Sequence, residues 1–237
     1  VALGSGLRRL ALAMRFDGLR QLTSADLRAD SRLMFRRNIL TRLRTAAPFL
    51  SFDEDPYAVL AGGRLFVMVD GYTASSYFPY AERMEEGVNY VRNAVKATVD
   101  CYDGTVHFYI FDDADPIIRA WQKAFPALLE PAGAMPPTLR AHVRYPEDFL
   151  KAQARAYATY HMNDPMVFYN KEDRWAIARE NAGNDVGEML PYYAIMKLPG
   201  EAHEEFVQMI PFTPFSVTQP KNNMVAWMAG RCDGADH

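Results

Sequence analysis

The chain has 237 residues, 49% hydrophobic and 23% charged, a composition that supports a sizeable folded core and excludes a disordered or fibrous polymer. Its net charge of −3 conceals an asymmetry: residues 1–50 hold ten Arg, no Lys and three Asp, so a segment of +7 precedes 187 residues carrying −10. No run of about 18 apolar residues is present, which excludes a spanning helix within the segment, and no charged region followed by an apolar run marks a signal peptide.

Along the chain, "GSGLRRLALAMRF" (4–16) places Leu7, Leu10, Ala11 and Met14 at helical spacing, and Asp17-Gly18 stops the run. Thr23 with Asp26 three residues on resembles a capping box and predicts a second helix to about Ala47, before Pro48. On that helix Phe35, Ile39 and Leu43 share a side with Arg28, Arg32 and Arg36, while Leu33 and Leu40 point elsewhere, so it needs cover on more than one side. Nucleic-acid readers add stacking aromatics to their arginines, and only Phe16, Phe35 and Phe49 occur here. The basic segment, Arg28, Arg32, Arg36 and Arg37 in particular, is therefore read as facing anionic lipid head groups, a partner protein or solvent, with a cytoplasmic nucleic-acid binder as the weaker third reading.

From Ser51 the pattern turns to strands. "YAVLAGGRLFVMVDGY" predicts a hairpin around Gly62-Gly63, and "VKATVDCYDGTVHFYIFD" a second, with Asp103-Gly104 as a two-residue turn. That turn would set Cys101 opposite Val106 and Ala97 opposite Ile110 on an apolar face, with Asp100 opposite His107 and Lys96 opposite Phe111 on a polar one. Cys101 is then a buried free thiol; with Cys232 it forms neither a zinc spacing nor a redox motif. "DADPIIRAWQKAFP" predicts a helix capped by Asp115 with Pro116 at its first position. This cap accounts for the cluster Asp112, Asp113 and Asp115 without calcium, whose loop needs a sixth-position Gly and a twelfth-position Glu. A further helix starts near Pro146, and "MVFYN", "PYYAIMKLP", "EEFVQMIPF" and "NMVAWMA" are predicted strands.

Two pairs are candidates for acid–base chemistry. A carboxylate facing an imidazole orients the ring and supports a general base, which nominates Asp100 with His107, and His161 with Asp164. The commoner uses of the same residues are a cross-strand pair on a wetted face, and a helix end followed by an Asp-Pro turn. None of the seven serines lies in Gly-x-Ser-x-Gly, no two histidines among His107, His142, His161, His203 and His237 have metal-site spacing, and no phosphate-binding glycine motif occurs. No cofactor and no metal is expected.

The runs "NYVRNAVKATVDCYDGTVHFYIFDDADPIIRAWQKAFP", "LRAHVRYPEDFLKAQARAYATYHMNDPMVFYNKEDRWA", "PYYAIMKLPGEAHEEFVQMIPFTP" and "NMVAWMAGRCDG", with "APFLSFDEDPY" and "DGYTASSYFPY" before them, resemble one bacterial family along essentially the whole chain. It is uncharacterised protein family 0182. The resemblance implies a large protein with several membrane-spanning helices near its N-terminus and a long portion outside the cytoplasm, of which this chain is the central part. The opening at Val1 and the close in "RCDGADH" fit an excised piece. His107 stands where the family usually has a small or β-branched residue, which argues against Asp100 and His107 as a family-wide site, and Gly62-Gly63 replaces an Asp-Gly turn. No catalytic residue carries over.

The expected fold is α+β, a mainly antiparallel sheet built from hairpins with helices on one side, comprising a basic helical segment (1–50) and a core domain (51–237). The expected role is binding or assembly at the cell envelope, with the rest of its own membrane-spanning chain, anionic lipid or another envelope protein as partner. The alternative is an envelope hydrolase using an Asp/His pair.

Overall fold

A computed structural model describes residues 3, 6–16, 18, 27–28, 30–84, 87–182, 185–218, 221 and 223–232. The chain divides into two compact units, Val1–Arg42 and Leu43–His237.

In the first unit, α1 (Gly6–Arg15) forms as its periodicity predicts. The second predicted helix does not run from Thr23 to Ala47. Thr23 and Asp26 lie outside the described residues, residues 31–38 are not helical, and α2 covers only Ile39–Ala46. Arg36 adopts a left-handed φ of 54°, which ends any helical path through it, and the Asn38 side chain accepts from Thr41 N at 2.9 Å, restarting the helix. The stripe of arginines therefore has no helix to stand on. Arg28, Arg32, Arg36 and Arg37 are exposed on extended and turning backbone instead.

The second unit is α+β, with its strands shared between two larger sheets and one small hairpin. In the first sheet β1 (Ser51–Phe52) and β2 (Tyr57–Ala61) both pair with β3 (Arg64–Ser75), which continues antiparallel to β4 (Tyr90–Asp100) and β5 (Val106–Ile110). Strand β6 (Leu129–Pro131) adds to β5 in parallel. The Gly62-Gly63 turn is the two-residue connection predicted, Ala61 pairing with Arg64 while both glycines take positive φ. Helix α3 (Pro116–Ala124) also starts where predicted, with the Asp115 carboxylate accepting from Ile117 N and Ile118 N.

The β4–β5 hairpin departs from its predicted register by two residues. His107 pairs with Thr98, and Lys96 with Tyr109. The cause is the Asp100 side chain, whose Oδ1 accepts from Tyr102 N at 2.7 Å and winds the chain into a longer turn before Asp103-Gly104 is reached. An even shift leaves each residue on its predicted face, but it takes Cys101 out of the strand, so this cysteine is exposed and Cys232 is the buried one.

After α4 (Pro137–Arg140), α5 (Glu147–Tyr160) packs Leu150, Ala154 and Ala158 against Ile177, Ile210 and Phe212 of the second sheet. "MVFYN" is helical, not a strand: Asp164 caps and Pro165 opens α6 (Pro165–Asn170), a local signal stronger than the β propensity of Val, Phe and Tyr. Strand β7 (Trp175–Ile177) precedes the hairpin of β8 (Arg179–Ala182) and β9 (Asp185–Glu188). The second sheet then has the order β10 (Tyr192–Lys197), β11 (Glu204–Pro214), β12 (Ala226–Arg231), with β7 pairing the end of β11.

Candidate functional site

Strand β4 is buried on both faces from Ala94 to Asp100, and Lys96 stands in the middle of it with 1% of its surface exposed. A buried ammonium needs a partner, and Asp70, opposite it on β3 and 4% exposed, supplies one. Lys96 Nζ donates to Asp70 Oδ1 and also to the Arg144 carbonyl at 3.2 Å. Burial, reinforced by the negative charges of Asp53 and Asp55, raises the Asp70 pKa above the ordinary carboxylate value despite the Lys96 ammonium.

Asp53 extends the network. One carboxylate oxygen accepts from the Tyr72 hydroxyl and from Asp148 N at 3.1 Å, the other from Asp55 N at 2.8 Å. Pro146, at the cap position of α5, makes no side-chain capping bond, so a carboxylate from a distant loop satisfies the first turn of this helix. Burial and the Asp53 charge push the Tyr72 phenol far above its usual range. Arg144 completes the joint: its N–H donates to the Tyr57 hydroxyl at 3.3 Å, and its guanidinium lies 4.5 Å from the Tyr57 ring centre, 5.3 Å from Tyr193 and 5.5 Å from Phe206. Tyr57 belongs to the first sheet, Tyr193 and Phe206 to the second. The network thus fastens the two sheets and α5 together.

The pairs nominated from the sequence separate. Asp100 accepts from Arg64 Nε at 2.8 Å and from the turn amides; burial alone would raise its pKa, but the Tyr102 amide and Arg64 outweigh that and lower it. His107 meets Glu130, with Nδ1 2.7 Å from Oε1, on an exposed face beside Tyr109. Asp164 caps α6 through Met166 N and Val167 N. His161 stacks on Trp175 with ring centres 3.5 Å apart, and its Nδ1 donates to the Tyr157 carbonyl at 3.0 Å. Its Nε2 is buried without a hydrogen bond, 3.8 Å from Asp173, which is nearer in role than Asp164 but too far for a bond. His142 and His203 are exposed, and His237 lies outside the described residues. Among the described residues no group of three or more His, Cys, Asp or Glu has the geometry of a metal site.

A different surface stands out. Residues 76–84 present Tyr77 at 89% exposure and Tyr80 at 108%, with Phe78 and Met84 also exposed. The loop is held, not loose: the Asn89 amide accepts from Phe78 N at 3.0 Å and donates to Phe78 O at 2.7 Å, and Tyr80 sits at φ +60°. Glu82 accepts from the Tyr160 hydroxyl at 3.1 Å, and Tyr160 lies 5.5 Å from the Phe168 ring, which joins the loop to α5 and, through Phe168, to α6, where Met166 and Tyr169 are exposed. Tyr157 and Tyr160 continue into an open groove of ≈ 380 Å³ lined also by Gln153, Ala156 and Met228. Sequence reasoning missed the first feature; for the second, "FPY" at 78–80 is readable as lining a binding groove, although core packing is the more frequent use of such residues. A lone Lys inside "NAVKATV" was the available signal for the first, and the density of Tyr in "SSYFPY" for the second.

Fold and surface together define a mixed α+β segment built around a sealed polar joint and bearing an exposed aromatic face. The chain belongs to the Uncharacterised protein family (UPF0182), whose family model matches residues 1–237. It is 47% identical to a UPF0182 protein of Bradyrhizobium diazoefficiens, 46% to one of Pelotomaculum thermopropionicum and 47% to one of Geobacter sulfurreducens, each match covering 100% of this chain and 25% or 26% of the relative. The chain therefore spans about a quarter of the length of these relatives. No solved structure matches it.

Proposed function

We propose that this segment is an extracytoplasmic part of a membrane-spanning polypeptide and serves binding or assembly at the cell envelope. The observation that carries the binding role is the set of exposed aromatics on residues 76–84 and α6, the loop backbone being held at Phe78 by the Asn89 amide: large aromatics offered to solvent on a held backbone are the composition of an interface centre. The membrane setting draws on the family resemblance and on the greater length of the relatives. No described helix of this segment is long and apolar enough to cross a membrane, and on this reading the spans lie in the remaining chain. The exposed arginines of the first unit, Arg28, Arg32, Arg36 and Arg37, are then available to anionic lipid head groups.

Cys101, exposed at the tip of the β4–β5 turn, gives a direct test of sidedness. A membrane-impermeant maleimide is expected to label it in intact spheroplasts. Labelling that appears only after lysis puts the segment in the cytoplasm and overturns the reading.

A further inference from the structure

We propose that the face formed by residues 76–84, the last turn of α5 and α6 docks against another part of the same longer polypeptide, one that presents apolar side chains inside a mixed-charge rim. The proposal rests on the reading of this chain as a segment of a longer protein and names what that segment binds.

Three observations choose this occupant. The centre of the face is Tyr, Phe and Met: Tyr77, Phe78, Tyr80, Tyr160, Met166 and Tyr169, residue types concentrated in the cores of protein interfaces. The exposed charged residues in or next to residues 76–84 and α6 in sequence are of both signs, Glu82, Asp164, Glu172 and Asp173 with Arg83, Lys171 and Arg174, so they supply no excess of positive charge for an anionic bilayer, and a protein surface with charges of both signs is the better complement. Finally, about three quarters of the length of the relatives lies outside this segment, and tethering raises the effective concentration of any part of it over that of a free partner. The Asn89 amide and the Glu82–Tyr160 hydrogen bond fix the face before binding, which reduces the ordering cost of docking.

The test uses the full-length polypeptide, freed of its other cysteines, carrying Tyr80→Cys or Tyr169→Cys on the face, or Leu60→Cys on the exposed side of the β2–β3 hairpin as a reference. Maleimide labelling is timed in detergent and again in urea, each site being compared with its own unfolded rate. The expected result is that Tyr80→Cys and Tyr169→Cys are slowed roughly tenfold or more relative to urea, and that this persists on dilution. Native rates equal to the unfolded ones at both sites overturn the proposal. So does slowing that appears only after reconstitution into lipid vesicles, which assigns the face to the bilayer, or slowing lost on dilution, which assigns it to a second copy or a separate protein. Hydrogen exchange of residues 76–84 in the unsubstituted polypeptide decides the question if either cysteine variant fails to fold: slow exchange supports docking, and fast exchange overturns it. Membrane sedimentation is scored separately. A soluble polypeptide with both cysteines protected sinks the envelope reading and leaves the docking intact.

Discussion

Lys96 and Asp70 form a pair whose members are each worth little alone. Removing one leaves the other charged in the interior, so Lys96→Met is expected to lower the unfolding free energy by about 3–5 kcal/mol. Adding Asp70→Leu to it should restore most of that loss, because two apolar side chains replace an ion pair that had to be desolvated. Urea denaturation of the three variants measures the coupling, and additive losses would show that the pair is not the unit. Gln208 makes the opposite prediction. Fully buried on β11, it has no hydrogen-bond partner for either amide atom. Nothing in the structure accounts for this, and Gln208→Met, of similar length and without the unpaired amide, should raise stability by about 1 kcal/mol in the same assay.

Helix α3 shows how one residue serves an element. Asp115 caps it, and also accepts from Thr73 Oγ1 at 2.7 Å and from the Tyr90 hydroxyl at 2.6 Å, tying the helix to β3 and β4. Asp115→Ala removes the cap and strands both hydroxyls, a loss of about 2 kcal/mol, while Asp115→Asn keeps a capping oxygen and should lose less. The sign of the pH dependence follows. Burial alone would raise the Asp115 pKa, but the Tyr90 and Thr73 hydroxyls with the Ile118 and Ile117 amides outweigh it and hold the pKa below 3.8. A carboxylate depressed in the folded state binds its proton more readily once unfolded, so its contribution is complete above 3.8 and disappears as pH falls through the folded value. Asp100, also depressed, acts in the same direction. The difference in urea midpoint between wild type and Asp115→Asn should therefore shrink between about pH 5 and pH 2, and a constant difference would refute the assignment.

At the scale of the molecule, charge is segregated: half of the arginines fall in residues 1–50, which hold few carboxylates, and the excess of carboxylates lies in the rest. If the basic segment faces lipid, the polypeptide should sediment with vesicles containing anionic lipid. Replacing Arg28, Arg32, Arg36 and Arg37 together by Ser should weaken that binding several-fold, and raising salt should weaken the wild type likewise. Sedimentation equal for neutral and anionic vesicles would remove lipid electrostatics from the account. The polar joint acts at this scale too, since Asp53, Arg144 and Tyr57 hold the second sheet and α5 to the first sheet through bonds between residues 87 and 95 positions apart in the chain.

What the sequence determined by itself is whatever is decided within a few residues. The Gly62-Gly63 turn, the Asp115-Pro116 start of α3 and the start of α5 after Pro146 are local backbone chemistry, and all were legible. So were the α+β class, from strand and helix patterns, and the family, from long motifs in order. Legibility failed where a side chain overrode a motif. Asp100 rewound a turn that Asp103-Gly104 alone would have closed in two residues, Asp164-Pro165 made a helix of a β-prone run, and the chain at Arg36 broke a helix that spacing allowed. The candidate site was least legible of all. Lys96 finds Asp70 across 26 residues through strand pairing, and the Asp148 amide finds the Asp53 carboxylate across 95 through the packing of α5, and only the tertiary structure decides such pairs, because the cost of burying a charge is offset by a partner that the fold, not sequence proximity, brings within reach.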